Sequence, residues 1–144
     1  MNKYHAKRAV YRGDVFDSRK EARRFAELSL LEKGGHIKDL RRQVVYELIP
    51  AQYKDVPDGI YTRGALKGQP RYKTVCVERA VKYIADFVYM LREKYETVSG
   101  GVPVVLERWR EVVEDTKSDA TRTPEYIIKR KLMRYLKNIE ITEV

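Results

Sequence analysis

Cysteine and histidine are scarce in this chain: Cys76 is its one cysteine, and His5 and His36 are its two histidines, among 144 residues. A single cysteine excludes an internal disulfide framework, and so few sulfur and imidazole ligands exclude a conventional zinc site. No apolar run approaches 18 residues, so we expect no membrane-spanning helix. The N-terminus is basic and lacks the apolar core of a signal peptide, so we expect a cytoplasmic protein.

Acidic residues are too few to balance the basic ones. The chain has 30 Lys and Arg residues against 21 Asp and Glu residues, a formal net charge of +9. This excess predicts a polyanionic partner, nucleic acid above all, with a merely solubilising surface as the alternative. The length and a hydrophobic fraction of 43% predict one globular domain that spans residues 1–144.

Two stretches, residues 83–89 and 112–117, predict β-strands, because β-branched and aromatic residues dominate and no Gly or Pro interrupts them. Each carries an acid where a buried strand should be apolar, Asp86 in the first and Asp115 in the second. The two-residue period of a strand places Lys117 on the same face as Asp115. A carboxylate among aliphatic neighbours costs free energy unless a cation or hydrogen bonds compensate it. Adjacent strands would therefore bring the two acids and the lysine into a pocket that a divalent cation completes.

The order Ala85-Asp86, a spacer, then Asp115-Thr116-Lys117 resembles the signature of the PD-(D/E)xK nuclease superfamily, with Ala in place of the motif's Pro. The chain is most similar to small phage-encoded members, whose relatives include Holliday-junction resolvases, and the resemblance extends over residues 2–144. It implies an α/β fold like that of restriction endonucleases, with a mixed central sheet flanked by helices. A phage-encoded protein would act in the host cell cytoplasm. Residues 90–110 depart from the pattern, because they are longer than a simple hairpin between the two motif strands requires.

The resemblance also implies roles for Glu21, on the first helix, and for Gln43, on the following strand. Glu21 would join the metal site, and Gln43 would touch the site or the nucleic-acid backbone. Each has a structural alternative. Ser18 and Glu21 match a capping box, in which the glutamate accepts the Ser18 backbone N–H, and Gln43 would otherwise be a surface amide.

The expected cofactor is Mg²⁺, with Mn²⁺ as a substitute. Mg²⁺ prefers oxygen ligands, which suits Asp86, Asp115 and the Thr116 carbonyl, with Glu21 bound directly or through water. Polarisation of the scissile phosphate and activation of the attacking water would come from the cation. Lys117 would orient that water or neutralise charge on the phosphorus, so the expected catalytic residues are Glu21, Asp86, Asp115 and Lys117.

Basic residues predict the surface that binds nucleic acid. A basic N-terminal arm covers residues 1–12, and a long mobile loop at about 52–72 interleaves aromatic residues with Arg and Lys, which could stack on unpaired bases. Each segment has an alternative without nucleic-acid binding: a frayed terminus for the arm, a solvated loop at 52–72 and a solvated face for the C-terminal helix. The predicted contacts with DNA are Arg19, Arg23, Gln43, Arg63, Lys67, Arg71, Lys129, Arg130 and Arg134.

Local signals predict the remaining elements. A hairpin turn at 12–14 precedes a helix from Ser18 to about Lys33, which Gly34 and Gly35 close, and residues 37–50 predict the first core strand. Thr123 and Pro124 begin a second helix to about Lys137, and residues 139–144 predict an edge strand. The side chains expected to face inward from the second helix are Ile128, Leu132, Tyr135 and Leu136.

The expected function is a Mg²⁺-dependent DNA endonuclease. No helix-turn-helix, zinc finger or other base-reading module is evident, so recognition of shape and backbone is expected rather than of sequence. The resemblance makes branched DNA the expected substrate, with a Holliday junction as its sharpest form. Two symmetric nicks at a junction imply a homodimer. Two alternatives stay open: a non-catalytic nucleic-acid-binding protein and an RNA-processing nuclease.

Overall fold

The structure is a computed structural model that describes residues 8–144, so most of the predicted basic arm lies outside the described range. It contains two helices, eight strands and a 3₁₀ turn at Asp119–Thr121 within that range. The helices are α1 (Arg19–Lys33) and α2 (Pro124–Lys137). The strands are β1 (Ala9–Tyr11), β2 (Asp14–Phe16), β3 (Ile37–Ile49), β4 (Gln52–Ile60), β5 (Pro70–Glu78), β6 (Val81–Ser99), β7 (Val102–Asp115) and β8 (Ile141–Glu143). The fold is mixed α/β and mostly sheet.

The chain forms two compact units, one of residues up to Tyr46 and from Ile84 to Val144, the other of Glu47–Tyr83. The larger unit contains a four-stranded sheet in the order β3-β6-β7-β8. Strands β6 and β7 are antiparallel and β7 and β8 are parallel, so the predicted mixed central sheet and the C-terminal edge strand are confirmed.

Strands β6 and β7 form one long antiparallel hairpin, with thirteen residue pairs from Phe87–Glu114 to Ser99–Val102. The segment 90–110, which is too long for a simple connection, makes up the far part of this hairpin. Gly100 and Gly101 form the two-residue turn with positive φ at both positions, a conformation that glycine adopts without a steric cost. The two predicted motif strands are therefore direct neighbours.

Helix α1 begins at its predicted cap and packs on the sheet. The Ser18 hydroxyl accepts the backbone N–H of Glu21, and Gly35, with φ of +70°, ends the helix in the left-handed conformation. The core beneath it is a cluster of aliphatic and aromatic side chains from α1, β3, β6 and β7. Its buried members are Leu28, Ile37, Phe87, Tyr89 and Val112.

Helix α2 has the predicted boundaries but not the predicted inward face. Thr123 caps it, with Pro124 in the first turn, as the sequence indicates. Its buried side chains are Tyr126 and Met133, whereas the side chains predicted to face inward are exposed or only half-buried. Those residues are Ile128, Leu132, Tyr135 and Leu136. No helix within residues 8–144 is both long and apolar enough to cross a membrane.

The smaller unit corrects the prediction of a loop at 52–72. Strands β4 and β5 pair in an antiparallel hairpin, and residues 61–69 connect them. The Tyr61 N–H donates to Gln69 O at 3.0 Å, and the Gly68 N–H donates to Tyr61 O at 2.8 Å. The prediction of a loop without regular structure was wrong, because turn residues such as Pro57 and Gly59 lie within β4, next to a register shift.

Candidate active site

The hairpin register brings Asp86 and Asp115 together. Phe87 lies opposite Glu114, so the next pair along the same register is Asp86 with Asp115, on the other face of the sheet. The Asp115 side chain is 1% exposed. Asp86 Oδ2 accepts hydrogen bonds from the Thr116 backbone N–H at 2.8 Å and from the Thr116 hydroxyl at 2.5 Å. The predicted meeting of the two carboxylates on adjacent strands is therefore present.

The pKa of Asp115 lies well above the ordinary value of an aspartic acid. Burial, and then the hydrogen bond and negative charge of Asp86, raise its pKa to about 7, while Lys117 acts in the opposite direction. Lys117 Nζ lies 3.0 Å from Asp115 Oδ1. The two side chains therefore share one face, as the two-residue period of a strand predicts. The ammonium also lies 4.4 Å from the centre of the Tyr126 ring, a cation–π contact that orients it. A buried carboxyl that titrates near neutrality beside a second carboxylate is typical of a functional site.

The two carboxylate oxygens of Glu21 make different contacts, one at the start of α1 and one within the candidate site. Its Oε2 accepts the backbone N–H of Asp17 at 3.2 Å, one residue before the expected capping-box donor, Ser18. Its Oε1 accepts from Gln43 Nε2 at 3.3 Å, and the same Nε2 lies 3.4 Å from Asp86 Oδ1. Burial and the charge of Asp86 raise the pKa of Glu21, which is 4% exposed. The structural role and the predicted site role of Glu21 are therefore compatible.

Gln43 reaches both carboxylates from an unusual backbone conformation. Its φ is +50°, in the left-handed region that non-glycine residues seldom adopt, although it lies within β3. In a strand such a residue interrupts the regular alternation and redirects the side chain. The Gln43 amide thereby lies within hydrogen-bond distance of both Glu21 and Asp86, while the residue itself stays exposed, so the surface alternative and the predicted site contact both hold.

The segment that carries Asp115 and Lys117 is fixed by backbone contacts with Val144, directly after β8, and by Lys20 of α1. The Val144 N–H donates to Asp115 O at 3.1 Å, and the Lys117 N–H donates to Val144 O at 3.0 Å. Lys20 Nζ donates to Lys117 O and to Val144 O, each at 2.6 Å. Lys20 thus joins the first turn of α1 to the end of the motif strand.

The oxygen donors suit the predicted cation in their chemistry. Asp86, Asp115 and Glu21 supply carboxylates and Thr116 supplies a carbonyl, the ligands that Mg²⁺ prefers. In residues 8–144, no group of three or more His, Cys, Asp or Glu side chains has the arrangement of a metal site. The carboxylates instead accept hydrogen bonds from Gln43 and Thr116, and Asp115 forms an ion pair with Lys117. A divalent ion would therefore replace part of this network.

The predicted nucleic-acid contacts of α1 and the smaller unit differ in their ion pairing. Arg19 and Arg23 on α1, and Arg63 and Lys67 in the connection 61–69, are exposed and form no ion pair within residues 8–144. Arg71 is paired with Asp58 at 3.0 Å.

The basic residues of α2 have more acidic partners than the sequence suggests, where only Glu125 balances them. Lys129 pairs with Glu125 and Arg130 pairs with Glu143, each at 2.6 Å. Arg134 lies 3.9 Å from Glu140. The C-terminal segment thus neutralises part of the helix that was expected to face phosphates alone.

Sequence reasoning missed the residues that support the site without carrying its chemistry. Tyr126 contacts Lys117, and Lys20 holds the Lys117 carbonyl, but neither belongs to a motif. The sequence marks these two residues only by their position: each lies in the first turn of a helix, where side chains reach past the helix end. The ion pair between Arg24 and Glu114 joins residues 90 positions apart and has no local signal.

Comparison with known proteins adds a family but no activity. No curated protein and no solved structure matched the chain. A family model matched residues 1–143, nearly the whole length, and the description of that family states no function. The chain belongs to the DUF1064 family of proteins of unknown function.

Proposed function

We propose that this protein is a metal-dependent nuclease that hydrolyses phosphodiester bonds in branched DNA. The observation that supports the proposal is the convergence of Glu21, Gln43, Asp86, Asp115 and Lys117 from one helix and three neighbouring strands. An acid, an amide, two further acids and a lysine, in this order along the chain, are the residue types that the PD-(D/E)xK resemblance implies. As part of the same proposal, the mixed central sheet and its helices have the fold of restriction endonucleases.

The chain's own residues have distinct roles. Asp86 and Asp115, with the Thr116 carbonyl and Glu21, would hold Mg²⁺ or Mn²⁺, which supplies Lewis-acid polarisation of the phosphate and a more acidic water. The Lys117 ammonium lies 3.0 Å from Asp115, where it would orient the water and offset charge on the phosphorane. Gln43 holds Glu21 and Asp86 at a fixed separation through one amide nitrogen.

Electrostatics favours DNA as the substrate class. The net charge of +9 suits a polyanion, and Arg19 and Arg23, which form no ion pair within the described residues, extend from the same helix as Glu21. Contacts of this kind bind phosphates without reading bases, so shape rather than sequence would select the substrate. A four-way junction takes two equivalent nicks, so the proposal includes a homodimer with two sites.

Cleavage of labelled nucleic acids tests the proposal. Wild-type protein with Mg²⁺ should cut a four-way junction faster than a linear duplex of the same sequence, and EDTA should stop the reaction. Asp86→Asn and Asp115→Asn should each lower the rate by far more than about tenfold, or 1.4 kcal/mol of barrier. Their binding should stay unchanged or tighten, because each variant removes a negative charge near phosphate. Asp119→Asn, at a fully exposed acid of the 3₁₀ turn, should keep the wild-type rate.

Two results would replace the proposal. Binding without cleavage of any substrate, in either metal, would make the protein a non-catalytic nucleic-acid-binding protein. Cleavage of RNA with no cleavage of DNA would make it an RNA-processing nuclease. A variant of Asp86 or Asp115 that keeps more than about a tenth of the rate would remove that residue from the metal site.

A further inference from the structure

We propose that the smaller unit, Glu47–Tyr83, carries a binding face for single-stranded nucleic acid. On this face Tyr53 and Tyr72 stack on unpaired bases, and Arg63 and Lys67 contact the phosphates. Binding itself does not depend on catalysis. The further step, that the strand held here is an unpaired strand of a branched substrate, rests on the proposed nuclease function.

The hairpin register places the two tyrosines on one face. Directly opposed residues of an antiparallel pair point to the same side, and Tyr53 lies opposite Cys76 while Tyr72 lies opposite Pro57. Tyr53 and Pro57 are four positions apart on β4, an even number, so all four side chains share one face. That separation is roughly 14 Å at about 3.4 Å per residue. Each ring can therefore take a different base.

Both rings are accessible to a ligand. Tyr53 is 63% exposed and Tyr72 is 60% exposed, more than expected for aromatic side chains that serve to pack a core. An exposed aromatic ring on one face of a strand pair can stack on any base, independent of sequence. In a duplex the bases already stack on one another, so this geometry favours unpaired bases.

The charge of this unit suits a polyanion. Residues 59–77 contain four basic residues and no acid: Arg63, Lys67, Arg71 and Lys73. Arg71 and Lys73 pair with Asp58, at 3.0 and 3.3 Å. Arg63 and Lys67 are exposed, without an ion-pair partner in the described part of the chain, so they are available to phosphates.

A carboxylate at the centre of the tyrosine face, that of Asp55, is already engaged. Asp55 lies opposite Thr74, between the two tyrosines, and its Oδ1 accepts the Thr74 hydroxyl at 2.7 Å. A carboxylate held there disfavours a phosphate at the centre of the face. The expected arrangement therefore places bases over the tyrosines and the phosphates towards the connection 61–69.

Cys76 provides a direct readout, because it is exposed, lies opposite Tyr53 and is the one cysteine of the chain. The experiment measures the rate at which a bulky maleimide alkylates Cys76, in EDTA, with and without a saturating dT oligonucleotide of about 16 nucleotides. We expect the oligonucleotide to slow alkylation several-fold and a duplex of equal length to leave the rate unchanged. An oligonucleotide that binds without slowing alkylation would overturn the proposal, and so would one that does not bind.

Substitutions test the two kinds of contact separately. Tyr53→Ala and Tyr72→Ala should each weaken oligonucleotide binding between about fivefold and a hundredfold, whereas Tyr53→Phe should keep it, because stacking needs the ring and not the hydroxyl. Arg63→Ala with Lys67→Ala should reduce the slope of log K against log salt by up to about 1.4. Tyr95→Ala, at an exposed tyrosine of the larger unit, is the control and should bind normally. Equal binding by the Tyr53 and Tyr95 variants would overturn the stacking role.

The outcomes separate this inference from the nuclease proposal. Junction cleavage without protection of Cys76 would refute the binding face and leave the nuclease proposal standing. Protection of Cys76 without cleavage of any substrate would support the binding face and refute the nuclease proposal. Protection by an acidic peptide as strong as that by the oligonucleotide would show that the face recognises charge alone, and would also overturn the stacking role.

Discussion

Arg24 of α1 and Glu114 of β7 form a bidentate ion pair, with Nε 2.7 Å from Oε1 and Nη2 2.9 Å from Oε2. The Glu114 side chain is fully buried, and Tyr89 donates its hydroxyl to Oε2 at 2.8 Å. Burial and this hydrogen bond raise the pKa of Tyr89 to about 12, so the hydroxyl stays a donor at neutral pH. Glu114 directly precedes Asp115, so the pair holds α1, which carries Glu21, against the strand of the site.

Removal of Arg24 should destabilise the protein strongly. A buried carboxylate that loses its partner typically costs about 3–5 kcal/mol, so Arg24→Ala should lower the free energy of unfolding by an amount near that range. Arg23→Ala, at the exposed neighbour that forms no ion pair in the described part of the chain, should change it by less than about 0.5 kcal/mol. Urea unfolding at pH 7 measures both. Similar effects of the two substitutions would show that the Glu114 charge is compensated in another way.

The raised pKa of Asp115 predicts a pH-dependent stability in EDTA. Its pKa rises from 3.8 to about 7 on folding, so the folded state binds the proton more tightly. Stability should therefore fall as pH rises between these values, and it should not recover above pH 7. Between pH 5 and pH 8, ionisation of Asp115 should lower the free energy of unfolding by up to about 3 kcal/mol.

Asp115→Asn should weaken that dependence, because the amide does not titrate. The measurement is urea unfolding of both proteins across this pH range. Saturating Mg²⁺ should restore wild-type stability at pH 8 and have little effect on the variant. An equal pH dependence in both proteins would contradict the assignment of the pKa to Asp115.

Glu21→Gln separates the helix role of Glu21 from its site role. Glutamine can still accept the Asp17 N–H and lacks the charge that repels Asp86, so stability should stay the same or rise. Activity should fall by more than about tenfold if the carboxylate serves the metal. Glu32→Gln is the matched control, since Glu32 also accepts a backbone N–H, from Leu40, outside the site. A fully active Glu21→Gln enzyme would leave this residue with a capping role alone.

The ion pairs of α2 predict which of its basic residues bind DNA most strongly. Lys131 and Lys137 are exposed and form no ion pair within residues 8–144, whereas Lys129 and Arg130 have partners at 2.6 Å. Lys131→Ala with Lys137→Ala should reduce the salt slope of duplex binding by up to about 1.8. Lys129→Ala with Arg130→Ala should reduce it less, because these residues must first give up Glu125 and Glu143. Salt titrations in Ca²⁺ measure both, and an unchanged slope in each would show that α2 is a solvated face.

Sequence signals located the elements whose ends depend on local chemistry. Ser18 and Gly35 delimit α1, and Thr123 with Pro124 begins α2, because caps and turns involve residues within a few positions of each other. The hairpin 52–78 escaped detection because both of its faces carry exposed side chains, so no apolar alternation marks it. The meeting of Asp86 with Asp115 was predictable because both strands carry an acid at an apolar position.

The remaining site contacts depend on tertiary structure that no local pattern encodes. The left-handed φ of Gln43 and the contact of Lys20 with the Lys117 carbonyl have no counterpart in periodicity. The inward face of α2 was predicted wrongly because a polar interaction helps to orient the helix. Tyr126 donates its hydroxyl to Glu143 of β8 at 3.0 Å, so a buried aromatic residue with a half-buried polar partner takes the place of an aliphatic stripe.

The long hairpin of β6 and β7 determines how changes in its length affect the protein. Glu114 and Asp115 point to opposite faces, one to Arg24 and the other to the candidate site. A deletion of one residue from β7 alone would shift the register by one position, so that the carboxylate paired with Arg24 and the carboxylate beside Lys117 would exchange faces. Removal of one matched pair, such as Val98 with Pro103, shortens both strands equally and keeps every other pairing. The hairpin should therefore tolerate paired changes in length but not single ones, even far from the carboxylates.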